Sequence, residues 1–211
     1  MSLAKLQVYV TDRQLDLPQR AKDLFRCLRA ELIEASNAKV IQESPQDVFK
    51  RLRLLPEPPA QLLDHLREQN LHEHAFCILG GEKNQARDHG THHFQRNDDA
   101  WFDFSIVVRE RSEHLDLLAY DFELRFPPGV GVPFLRFDLN LPHHANDERD
   151  IRCHLHPGSD DILVPAPLMT PSELLTLFLE GAQLPAGRAR RAFTAFEAAW
   201  SIIGPSSLLK Q

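Results

Sequence analysis

Two stretches near the middle of the chain alternate with a period of two. Phe102, Phe104, Ile106 and Val108 take turns with Asp103, Ser105 and Val107, while Leu118, Tyr120, Phe122, Leu124 and Phe126 take turns with Ala119, Asp121, Glu123 and Arg125. Successive side chains of an extended strand point to opposite faces, so this pattern gives each segment one apolar and one mainly polar face. A helix does not produce it. Whatever else the chain does, it must cover the apolar face of a sheet.

The flanking segments supply the cover. Residues 16–35 place Leu17, Ala21, Leu24, Phe25, Leu28 and Leu32 on one helical stripe. Ser44-Pro45-Gln46-Asp47 reads as a capped helix start, with Val48, Phe49 and Leu52 as its apolar face. Pro56, Pro58 and Pro59 break the chain before a short helix that turns Leu62, Leu63 and Leu66 inward. Ala75 to Leu79 reads as a buried strand stopped by Gly80-Gly81, and the polar residues 81–99 read as a long loop. Phe134 to Leu139 and Ile151 to His156 add two more strands. Thr170-Pro171-Ser172-Glu173 has capping-box spacing ahead of Leu174, Leu175, Phe178 and Leu179, with Gly181 at the C-cap position. A last helix is expected over 186–203, carrying the basic patch Arg188-Ala189-Arg190-Arg191. The expectation is an α+β fold in a single domain over 1–211. Residues 1–70 form a helical N-terminal part, 71–168 an antiparallel sheet with the loop 81–99, and 169–211 the C-terminal helices.

Composition narrows the function classes. With 24 Lys+Arg against 30 Asp+Glu the formal charge is −6, so any nucleic-acid contact must be local rather than spread over the surface. No apolar run approaches the roughly 20 residues that span a bilayer, and no membrane association is expected. Cys27, Cys77 and Cys153 are odd in number and lack C-x-x-C spacing, which fits a reducing cytoplasm better than a disulfide framework. The N-terminus does not read as a signal peptide. The unusual feature is 11 His in a chain with two Trp and two Tyr.

Strand alternation sorts those histidines. If Leu135, Phe137 and Leu139 face the core, Arg136 and Asp138 face away. The same rule places Arg152, His154 and His156 opposite Ile151, Cys153 and Leu155. The intervening loop of about ten residues, with Pro142-His143-His144, favours antiparallel neighbours. Arg136, Asp138, His154 and His156 then share one surface as candidate catalytic residues, with Arg152, His143 and His144 as candidate substrate-binding residues. Asp121, Glu123 and Arg125 are nearby if the preceding strand is adjacent.

Three readings stay open. The face can be an ordinary solvated one. It can be a metal-independent acid–base site, because two imidazoles can act as base and acid, arginine suits phosphate, and Asp can fix a tautomer. Or His154-x-His156 can share a metal with Asp138, His143 or His144. Asp88-His89-x-x-His92-His93 is a second ligand-like group, read as solvated loop. Cys153 alternates inward and reads as an inert buried thiol. No nucleophile elbow, Walker loop or dinucleotide-binding glycine pattern occurs.

Arg136-Phe137-Asp138, Pro142-His143-His144, Cys153-His154-Leu155-His156-Pro157-Gly158, Pro165 and the helix from Thr170 to Glu180 together resemble a group of small uncharacterised bacterial domains. These have an Arg-aromatic-Asp strand followed by a His-rich hairpin. Some belong to toxin–antitoxin pairs or phage-defence systems. The resemblance covers about residues 100–180. It implies a cytoplasmic toxin- or defence-type ribonuclease, metal-independent and without a cofactor, acting on RNA through the His/Arg/Asp face. The alternatives are an interaction module for a cognate protein partner, and a His-ligated metal-dependent hydrolase.

Overall fold

A computed structural model of the chain describes residues 15–82, 93–142 and 151–184. The alternating segments form the two long central strands of a mixed α+β fold. In chain order the described elements are α1 (Ala21–Asn37), α2 (Pro45–Arg51), β1 (Leu52–Leu55), α3 (Ala60–Glu68), β2 (Ala75–Gly80) and β3 (Phe94–Gln95). They continue with β4 (Trp101–Glu110), β5 (Leu115–Arg125), β6 (Phe134–Leu139), β7 (Cys153–Pro157), β8 (Val164–Pro165), α4 (Pro171–Thr176) and a π-helical turn, Leu177–Gly181. The sheet is antiparallel throughout, in the order β1-β2-β4-β5-β6-β7-β8, with β3 pairing the end of β4.

One face carries the main core. Phe102, Phe104, Phe122 and Leu124 meet Leu24, Leu28 and Leu32 of α1 and Leu174, Leu175 and Phe178 of the C-terminal helical segment. Phe104 and Phe122 stack with ring centroids 4.8 Å apart, and Phe178 stands edge-on to Phe122 at 5.9 Å. Gly80 pairs with Phe104, and a Cβ there would fall 2.2 Å from the ring, so no larger residue fits without displacing it. α1 begins at Ala21 rather than at residue 16, where Glu110 of β4 accepts its first N–H at 2.9 Å. The capping box expected at Thr170 and Glu173 forms, and Ser44, expected as a cap, makes a full capping box with Asp47.

Four sequence readings need correction. Leu52 opens β1 instead of continuing the helix, and Phe49 is 55% exposed under the Arg29 guanidinium rather than facing inward. Residues 93–96 are not solvated loop. Phe94 stacks on Phe102 and pairs with it in register, and His93, Phe94 and Arg96 are buried. A two-residue strand is too short to leave a period. Leu118 leaves the main core because a β-bulge at Val107/Val108 inserts an extra residue and flips the alternation. It joins Val107, Ala75 and Leu66 in a small apolar cluster on the other face, under α3. The second face is thus apolar at one end and polar at the other. Finally, helix α4 loosens into the π-helical turn before Gly181, where the Arg96 guanidinium bonds the carbonyls of Phe178 and Ala182. His89, His92, His143, His144 and the helix expected over 186–203 with its basic patch lie outside the described residues.

Candidate metal centre

Register brings the predicted residues together. Glu123 lies opposite Arg136 and Arg136 opposite His156, while Asp121 lies opposite Asp138 and Asp138 opposite His154. One strand further, Asp103 lies opposite Glu123. The polar end of the second face is therefore a set of cross-strand charged and titratable rows, not a scatter of solvated side chains. His154 is 2% exposed and His156 5%.

Asp138, His154 and His156 converge on one point. His154 Nε2 and His156 Nε2 are 3.1 Å apart, and Asp138 Oδ2 is 3.4 Å from the first and 3.2 Å from the second. Among the described residues this is the one group of three or more His, Cys, Asp or Glu whose ligand atoms lie within 4.8 Å of each other. Two of the three are held from outside. His156 Nδ1 donates to the Ser159 carbonyl at 3.3 Å, because a carbonyl can only accept, so Nε2 is the ring atom presented to the other two. Arg136 Nε donates to Asp138 Oδ2 at 3.0 Å, and its Nη1 to Asp160 Oδ1 at 2.7 Å. Burial pushes the Asp138 carboxyl up, but the bonds to His154, His156 and Arg136 outweigh it and hold the group well below the usual carboxylate range. Asp138 is therefore an anion.

Each imidazole nitrogen carries at most one hydrogen, directed along one line, so two rings and a carboxylate can fill two of the three edges at best. A cation at the centre satisfies all three. Bond lengths of about 2.0–2.1 Å in tetrahedral geometry separate ligand atoms by about 3.3 Å, close to the spacing found. Two imidazoles and one carboxylate are also a donor set that suits first-row transition ions.

Arg152 shares the face but is spent on backbone. Its Nε bonds the Asn140 carbonyl at 2.9 Å and its Nη2 the Leu118 carbonyl at 2.8 Å, clipping together the ends of β5 and β6. Cys153 points into the core, where Tyr120 Oη lies 3.4 Å from its sulfur and burial pushes the thiol up, as expected of an inert cysteine. Burial likewise raises Cys77, to about 11.

Two residues of this face escaped the sequence reading. His93 Nδ1 and Asp103 Oδ2 are 2.8 Å apart, both side chains are buried, and His93 stacks on Trp101 at 4.0 Å. Asp103 was visible as a polar residue within an alternating strand, but nothing in the spacing joined His93 to it. Comparison with known proteins finds no match: no family model fits the chain, and no curated protein or solved structure is significantly similar to it.

Proposed function

We propose that the protein is a metal-dependent hydrolase whose ion is held by Asp138, His154 and His156. The observation that carries this reading is the triangle of three ligand-type atoms 3.1–3.4 Å apart, with His156 held by Ser159 so that its Nε2 faces the other two. When bound, such an ion polarises the scissile group and lowers the pKa of water towards neutrality. Arg136 then positions the carboxylate, and the buried rings exclude bulk solvent.

This favours the metal-dependent over the metal-independent alternative for the same residues. A base and an acid working without an ion must flank the substrate, whereas here both Nε2 atoms point at each other and at a single carboxylate oxygen. RNA remains the first substrate to try, on the strength of the bacterial resemblance. The test is to load untagged protein with Zn²⁺, Mn²⁺, Fe²⁺ or Co²⁺ and to measure bound metal and cleavage of an RNA oligonucleotide and of nitrophenyl phosphate and carboxylate esters. Asp138→Ala and His154→Ala should each weaken binding at least about 100-fold and abolish turnover. Turnover that survives both substitutions, or is undiminished by chelator, contradicts the reading.

A further inference from the structure

A hydrolase also needs a group to take the proton from the attacking water, and the three ligands are poorly placed to do so. The imidazoles would spend their Nε2 lone pairs on the ion. Asp138 would spend Oδ2 on the ion, and the same oxygen accepts from Arg136 Nε.

Glu123 answers the need. It sits on the same face of β5, directly opposite Arg136 and diagonal to Asp138, a relation that separates residues by about 7–8 Å and lies within reach of long side chains. Its side chain is 5% exposed. Oε1 is fixed by Arg125, while Oε2 is buried, receives no hydrogen bond, and lies 3.8 Å from Arg136 Nη1. Leaving a buried carboxylate oxygen without a donor is unfavourable, so this atom is expected to find a proton-bearing partner in the working protein. The other charged groups around it are Asp121 on its own strand, Asp103 from β4 and Arg136 from β6.

We infer that Glu123 is the proton acceptor for the reaction at the Asp138, His154 and His156 site, an inference that rests on the hydrolase reading. Its Oε2 takes a proton from water as the water oxygen bonds to the electrophilic phosphorus or carbon. The bond to the leaving group breaks with its electron pair, and protonated Glu123 then returns the proton to the leaving atom. The carboxylate is regenerated and no other reagent is consumed.

Glu123→Gln keeps the volume and the Oε1 contact while removing the base. The probes are bis(p-nitrophenyl) phosphate, p-nitrophenyl phosphate and p-nitrophenyl acetate, with metal content measured on the same samples. The expected result is one bound metal in both proteins, kcat lowered about 10²–10⁴-fold in the variant, and loss of the acidic limb of its pH profile. Glu123→Ala should recover part of the rate when formate is added. A loaded Glu123→Gln protein turning over at the wild-type rate overturns the role and leaves the metal site standing, as does a folded Glu123→Ala protein that formate does not rescue. Failure of both variants to fold, read by circular dichroism, makes Glu123 structural and also overturns it. Wild-type protein that binds metal but hydrolyses none of the probes overturns the hydrolase reading and this role together, and wild-type protein that binds no metal overturns the site itself.

Discussion

At the scale of single residues, the site depends on which groups hold the ligands as much as on the ligands. Arg136 donates to the same Asp138 oxygen that faces both imidazoles, and Asp160 anchors its far end. Arg136→Gln should leave the fold intact and weaken metal binding about 10–100-fold, measured by competition with a chelator. An unchanged affinity would show that Asp138 needs no such support. Much of this arrangement is legible in the sequence: alternation alone puts Arg136 and Asp138 on one face and His154 and His156 on one face. What alternation cannot convey is rotamer and tautomer. The convergence of two Nε2 atoms depends on side-chain torsions and on a carbonyl, Ser159, whose own side chain carries no signal for the role.

At the scale of elements, the β4–β5 hairpin sets the frame into which the site is built. Arg109 and Asp116 are register partners near its turn, and Asp116 Oδ2 accepts from Arg109 Nη2 at 2.6 Å and from Arg111 Nε at 2.9 Å. Burial pushes the Asp116 carboxyl up, but the two arginines more than reverse this and leave it below its ordinary value. The folded-state pKa is thus depressed, so the stabilisation is present above the unfolded carboxylate value of about 3.9 and is lost as pH falls through the lower folded value. Asp116→Asn should destabilise the protein by about 1 kcal/mol at neutral pH, with the difference from wild type shrinking below about pH 4. Denaturant titrations at several pH values check both points, and a pH-independent difference would contradict them. The capped helices were legible because their signals are local and chemical. The bulge at Val107/Val108 and the pairing of β3 were not: the first is settled by a packing partner distant in sequence, Leu66 for Leu118, and the second spans only two residues, too few to show a period.

At the scale of the whole molecule, the sheet separates two tasks. One face is an aromatic and aliphatic core that makes the fold, and the polar end of the other gathers the titratable groups. Phe122 is central to the first, stacked on Phe104 and edge-on to Tyr120 and Phe178. Phe122→Ala should cost about 3–5 kcal/mol and lower Tm by roughly 6–20 °C in thermal melts, and a drop of only a degree or two would place the core elsewhere. The central claim concerns the opposite face: the strand pairing of β6 with β7 builds a cation site from Asp138, His154 and His156. The most direct test is a Co²⁺ titration of the untagged full-length chain followed by absorption spectroscopy. Ligand-field bands that saturate at one equivalent in the wild type and vanish in His156→Ala are predicted. A wild-type spectrum indistinguishable from that of free aqueous Co²⁺, or one unchanged by the substitution, would contradict the account.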